Sequence, residues 1–323
     1  MVNCFQSLAL ALTSGPAVLA TVIAARGSVP REVGAKLVVD ARGQLFGTIG
    51  GGAGEAKVIR QALQVLQTGK KQRVEIDLSG APQRETQGVC GGMMQVWLER
   101  WQGEPAQSLV QDILHSLGKG QPVTLVTPLG HTGQPYLVND SVQLDPQTAF
   151  VETLTPQPTL LIVGAGHVGI QLATVAHLIG FRVVVQDDRP EWANGDRYPQ
   201  ASQILAVPVG DAIAHLAPIQ DLYAALVTRG FTYDLEALQN LLQRSFPCPY
   251  IGMIGSEKRV RQVYRATEAA GIPKPKLAPI YAPIGLDIGA LTPEEIAVSI
   301  GAELVLVRRG GTGAPLSAQL RQG

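Results

Sequence analysis

The sequence predicts an α/β protein in two parts: an N-terminal α+β module of mixed sheet, then a C-terminal Rossmann-like domain with a doubly wound parallel sheet. Three observations predict it. The apolar run Leu160-Leu-Ile-Val163 ends at Gly164-Ala-Gly166-His-Val-Gly169, the glycine spacing of a dinucleotide-type strand, turn and helix. The next apolar strand, 182–186, ends in Asp187-Asp188-Arg189, about 20 residues on, where a ribose-binding acid would sit. Ahead of the fingerprint lies a long stretch without β–α alternation, so the first part must be a different module. Residues 1–155 and 159–323 are the expected domains. Two prolines in Thr155-Pro-Gln-Pro158 favour an extended link between them.

Composition narrows the class. The 323 residues are enough for two cores, and with 46% apolar but only 5% aromatic residues the interior is aliphatic. Lys plus Arg (26) balance Asp plus Glu (26), which argues against a nucleic-acid or anionic-membrane surface. Cys4, Cys90 and Cys248 form no CxxC pair, and the histidines show no ligand-like spacing. Both facts fit a reducing cytosol without structural disulfides or zinc. The apolar stretch 8–25 is broken by Thr13-Ser-Gly-Pro16 and has no basic run before it. It reads as helix, turn and strand rather than signal peptide, and no apolar run reaches the roughly 20 residues of a membrane span. A soluble cytoplasmic protein is expected.

In the first module, 18–23 and 36–40 read as strands, Asp40-Ala-Arg-Gly43 as a turn and 44–48 as the returning strand of a hairpin. A helix is expected over 55–68, half-buried strands over 74–78 and 94–98, a helix over 108–117, and β segments over 122–127, 136–139 and 150–154. In the second domain the fingerprint helix is expected over 170–180, and further strands over 203–207, 222–228 and 250–254.

Four glycine-centred clusters carry the chemistry. Gly27-Ser28-Val-Pro-Arg31 offers a hydroxyl, N–H groups and a bidentate cation to a phosphate or carboxylate; the alternative is a plain β–β connection. Gly47-Thr-Ile-Gly50-Gly51-Gly52-Ala-Gly54-Glu55 has the ingredients of an anion-binding nest, or of tight internal packing. In Gly88-Val-Cys90-Gly-Gly92 the thiol is sterically accessible, though a lone cysteine also serves as a small buried hydrophobe. The fourth cluster pairs Tyr250-Ile-Gly-Met-Ile-Gly-Ser256 with Pro283-Ile-Gly-Leu-Asp287-Ile-Gly289. Asp287 suits either function or turn-making. Thr292-Pro-Glu-Glu295 reads as a helix cap, and 296–307 as a helix or a helix running into a strand.

These clusters, in this order along nearly the whole chain, resemble the xanthine dehydrogenase accessory factor family (XdhC/CoxI type). The resemblance implies a chaperone, not an enzyme, that binds molybdenum cofactor (molybdopterin). Such a chaperone protects the cofactor while a cysteine desulfurase supplies its terminal sulfur, and delivers it to a molybdenum hydroxylase. It implies a site built from Ser28, Arg31, Gly50, Gly51, Gly52, Cys90, Gly164, Gly166, Gly169, Asp187, Arg189, Ser256 and Asp287, with Cys90 as metal or sulfur contact. The cleft between the domains is the expected place, and a homodimer would help to shield so large a ligand. Two departures stand out: Thr228-Arg229 replaces the family's usual Thr-His, and Ala53 stands where a larger residue is common. The competing readings are an NAD(P)-dependent oxidoreductase, for which the fingerprint argues, and a nucleotide-binding regulatory protein. Against the first, the fingerprint has no suitable acid–base partner, since His167 lies inside the glycine loop itself, where it would crowd a pyrophosphate; Asp187 would favour NAD over NADP, and Arg189 weakens that preference.

Overall fold

The computed structural model describes residues 2–78, 91–138 and 142–318. They form two compact units, Met1–Pro156 and Gln157–Gly323.

The first unit runs α1 (Val2–Ser14), β1 (Ala17–Arg26), β2 (Lys36–Val39), β3 (Leu45–Gly47), α2 (Gly52–Thr68), β4 (Gln72–Asp77), β5 (Met93–Trp101), α3 (Gly103–Gly118), β6 (Val123–Pro128), β7 (Tyr136–Val138) and β8 (Ala149–Leu154). Its strands make a five-stranded sheet, β3-β2-β1-β5-β4, and a three-stranded sheet, β7-β6-β8. Every pairing is antiparallel, where the sequence led us to expect a mixed sheet. Short links such as the Asp40–Gly43 turn can join only antiparallel neighbours.

Alternation places the cores. Val18, Ala20 and Val22 of β1 pack with Val58, Ala62 and Val65 of α2, while Ala17 and Leu19 face Phe5, Leu8 and Ile113 of α1 and α3. The sheet is thus buried on both faces, and each fully buried aliphatic side chain contributes roughly 1.5–3 kcal/mol. A buried ion pair, Lys36 on β2 with Glu152 on β8 at 2.7 Å, ties the two sheets together. A second joins Lys71 to Glu99. Burial pushes the Glu99 carboxyl up, and Lys71 Nζ also donates to Gly133 O at 2.5 Å.

The second unit runs β9 (Thr159–Val163), α4 (His167–Leu178), β10 (Arg182–Gln186), β11 (Gln203–Leu205), α5 (Val209–His215), β12 (Leu222–Leu226), α6 (Phe231–Leu242), β13 (Tyr250–Met253), α7 (Glu257–Ala269) and α8 (Pro293–Arg309). The strand order is β11-β10-β9-β12-β13, and every pairing is parallel. All five residues of both β9 and β12 are buried, because helices cover each face. One face packs on α4 and α8, the other on α5, α6 and α7. The winding of the chain reverses between β9 and β12, and ligands of such sheets bind outside the carboxyl ends of the strands at that point.

Of the two forms expected for 296–307, the helix is the one observed, continuous to Arg309. It starts with a full capping box, Thr292 with Glu295, and stops at Gly310 with φ 70°. Gly301 lets it approach α4 closely, since a Cβ there would lie 2.5 Å from Val175 Cγ1. The fingerprint helix begins three residues earlier than expected, because Gly166 is its N-cap. No helix among the described residues is long and apolar enough to cross a membrane.

Candidate functional site

In the second unit the three fingerprint glycines do three different things. Gly164 has φ +105°, and a Cβ would sit 2.6 Å from Val227 O, so the loop lies directly on the end of β12. Gly169 packs the first turn of α4 onto the loop, with Gly164 O 2.5 Å from its Cβ position. Gly166 has nothing within 4 Å of its Cβ position. The backbone is therefore open at the one glycine where a phosphate would approach the helix N-terminus.

Asp187 follows β10 and is 5% exposed. Its carboxylate is turned onto the loop: Oδ2 accepts from Ala165 N at 2.8 Å, and Oδ1 and Oδ2 accept the Arg189 guanidinium at 2.8 and 2.9 Å. Burial alone would raise this carboxyl; the bonds from Arg189 and Ala165 outweigh it and hold the pKa at about 2. Asp187 and Arg189 thus brace the glycine loop. Ser256 caps α7, its hydroxyl accepting from Arg259 N.

The loop 283–289 is held by α8. Glu303, 5% exposed, accepts from Tyr250 Oη at 2.6 Å and from Gly285 N at 3.0 Å. Burial beside this carboxylate drives the Tyr250 phenol far up. Ser299 Oγ donates to Leu286 O at 2.6 Å. Asp287 then lies exposed, with no hydrogen bond or ion pair among the described residues.

A third network was not expected. Asp234 of α6 is fully buried and accepts from Thr228 Oγ1 and from Arg259 Nε, each at 2.6 Å. Arg259 also donates to Thr228 Oγ1 at 2.9 Å. It locks the loop after β12 between α6 and α7. The next residue, Arg229, lies over the Tyr233 ring at 4.1 Å and donates to Asp188 at 3.0 Å.

In the first unit, three clusters meet. A Cβ on Gly50 would lie 2.3 Å from Pro30 Cγ, and one on Gly92 would lie 2.3 Å from Ser28 O and 2.6 Å from Arg26 O. The 27–31 loop is thus packed against both glycine stretches. Ser28 and Arg31 are exposed, and Arg31 makes no ion pair among the described residues. Gly51 and Gly52 have positive φ, 75° and 67°, with nothing within 4 Å of either Cβ position. The nest, however, already holds an anion. Glu55 Oε2 accepts from Thr48 Oγ1 at 2.6 Å, Ile49 N at 2.9 Å and Gly51 N at 3.2 Å. Burial would raise the Glu55 carboxyl, but these bonds prevail and hold it below the usual range. Glu55→Ala leaves those donors without their acceptor, a cost of about 1–2 kcal/mol. We expect urea unfolding to show that loss and Glu55→Gln to recover most of it. Cys90 lies outside the described residues. Among the described residues no group of three or more His, Cys, Asp or Glu side chains could hold a metal ion.

Comparison with known proteins gives these loops a context. A family model described as the XdhC Rossmann domain matches residues 160–304, and one described as the XdhC and CoxI family matches residues 11–77. The XdhC-type models thus match the chain in both of its units. It is 29% identical over 324 residues to a Bacillus subtilis (strain 168) protein named as a probable xanthine dehydrogenase subunit, covering 91% of this chain and 93% of that one. It is 26% identical over 310 residues to the "molybdenum cofactor insertion chaperone PaoD" of Escherichia coli (strain K12), covering 92% of this chain and 86% of the relative. It is also 28% identical to the protein YqeB of Escherichia coli (strain K12), matching over 92% of this chain but spanning only 44% of that relative. A crystal structure described as a xanthine dehydrogenase from Bacillus halodurans matches with a TM-score of 0.84 and 28% identity, over 99% of both chains.

The two matched ranges take in the glycine clusters at 27–31, 47–55, 164–169 and 250–289. The polar residues that hold them in place (Glu55, Asp234, Arg259 and Glu303) escaped sequence reasoning. Glu55 was visible as an acid in the first turn of a helix, a position that favours capping. Glu303 was visible as one acid in an otherwise apolar helical run, a pattern that demands a buried partner.

Proposed function

We propose that the chain is a molybdenum-cofactor-binding chaperone that holds the cofactor and hands it to a molybdenum hydroxylase of the xanthine dehydrogenase type. The observation that carries this reading is the near end-to-end match to a relative named as a molybdenum cofactor insertion chaperone. The open backbone at Gly166 supports it, because a pterin phosphate is an anion suited to a helix N-terminus. The cofactor is cargo here, so tight holding and release, rather than turnover, is the expected chemistry. Gly51, Gly52, Ser28 and Arg31 offer a second exposed polar surface for it, with Glu55 fixing the loop rather than binding the ligand. Sulfuration by a cysteine desulfurase would take place on the bound cofactor, with Cys90 as the candidate sulfur or metal contact.

The test is activation of a cofactor-free hydroxylase. Protein preloaded with sulfurated cofactor should restore activity, while unloaded protein or cofactor passed through an unrelated protein should not. Equal activation by free cofactor at the same concentration would contradict delivery. If Cys90→Ser left both retention and sulfuration intact, the assignment of Cys90 would fall.

A further inference from the structure

The first unit holds a groove of about 970 Å³, lined by residues of β1, β4 and β5 and by the segment 142–151. β1 has a bulge between Val22 and Ala24. The consecutive residues Ile23 and Ala24 therefore both line the groove, where strict alternation would send one of them to the other face. The charge of the groove is one-sided. Arg26 and Arg73 line it, both are exposed, and neither has a hydrogen bond or ion pair among the described residues. No Asp or Glu is among the described residues that line it. The neighbouring Asp145 is spent on its own turn, where Oδ1 accepts from Gln147 N at 2.9 Å. Beside the arginines the surface is apolar: Phe150 lines it, and Val142 and Leu144 are 36% and 37% exposed. β8, which supplies Phe150 and Val151, pairs with β6 on one side only. An edge strand of this kind offers main-chain N–H and C=O groups to an added strand.

We propose that this groove docks an extended acidic segment of a partner protein. Its carboxylates pair with Arg26 and Arg73, its apolar side chains lie against Phe150, Val142 and Leu144, and its backbone adds to the free edge of β8. In such strand addition the main-chain bonds give affinity and the side-chain contacts give specificity. A guanidinium takes a carboxylate in bidentate fashion, and two unpaired guanidiniums repel a basic segment, so charge selects the partner. The length of the groove and the strand edge favour a peptide chain over a small anion, which would use neither. The proposal goes beyond the chaperone reading and stands without it.

The test selects a phage library of random peptides on the immobilised full chain and measures the enriched peptides, once synthesised, by fluorescence anisotropy. They should combine Asp or Glu with aliphatic or aromatic residues, and bind more weakly as salt is raised. Arg26→Glu and Arg73→Glu should each weaken them about tenfold. Both changes are at exposed positions, so urea unfolding of the variants should match the parent. Replacing the acids of an enriched peptide by Lys should abolish binding to the parent and restore it to the Arg26→Glu, Arg73→Glu double variant. That rescue is a readout that a merely structural role for the arginines would not give. No enrichment, enriched peptides without acids, or peptides indifferent to both substitutions would overturn the proposal. A double variant that loses pterin retention, with no acidic peptide enriched on the parent, would overturn it too and assign the groove to the cofactor.

Discussion

Gly169→Ala is expected to destabilise the protein by about 3 kcal/mol, while Gly166→Ala, three residues away, leaves stability unchanged or slightly improved and costs ligand binding. At Gly169 the new methyl would meet a backbone carbonyl, Gly164 O, at 2.5 Å. A carbonyl fixed by sheet and loop cannot step aside as a flexible side chain can, so α4 must lift from β9, and overpacking of that kind costs about 1–3 kcal/mol or more. The better helix propensity of alanine returns at most about 1 kcal/mol. At Gly166 the backbone is extended, φ −80° and ψ −170°, which alanine adopts freely, and its methyl meets no atom. Fewer unfolded conformations then favour the variant by up to about 1 kcal/mol. The space that methyl fills is the space a phosphate needs. Urea unfolding and pterin retention of both variants separate the two effects. A stable Gly166→Ala variant that retains its ligand as well as the parent would show that this backbone is not a phosphate contact.

Asp234→Ala is the second large effect. It removes the partner of Arg259 and of the Thr228 hydroxyl from a fully buried position. Removing one member of a buried pair costs about 3–5 kcal/mol, because the other is left uncompensated. Arg259 is 24% exposed and can regain some water, so the expected loss is about 3 kcal/mol. Arg259→Met in the same background should return part of it, since no buried charge then remains. Denaturant unfolding of the single and double variants gives the coupling directly. Additive losses would mean that Asp234 and Arg259 act independently.

How far the sequence foretold this molecule follows from the kind of constraint involved. The strand from Leu160 to Val163 and the glycines after it were legible, because a tight turn, an open approach and a close helix contact each demand glycine at a fixed offset. The Thr292–Glu295 cap was legible for the same reason: its partners lie three residues apart. Antiparallel pairing throughout the first unit was not, since neither periodicity nor composition reports which strand lies beside which. The long-range polar pairs were equally hidden. Tyr250 with Glu303, Asp234 with Arg259 and Lys36 with Glu152 join residues 53, 25 and 116 positions apart. Lys36, Glu152, Asp234 and Arg259 look, in sequence, like ordinary surface charges, and Glu303 signals a buried partner without saying which. The glycine nest shows the same limit from the other side. Its backbone was anticipated, but the anion in it comes from Glu55 of the chain itself, and only the folded loop reveals that the carboxylate points inward.

The measurement closest to the central claim is pterin retention. The purified full chain is incubated with molybdenum cofactor and gel-filtered, and the oxidised fluorescent pterin in the protein peak is quantified with and without excess NAD. The chaperone account predicts close to one pterin per protein binding unit, undiminished by NAD. An empty protein peak together with saturable NAD binding would contradict it and point to a nicotinamide-dependent activity instead.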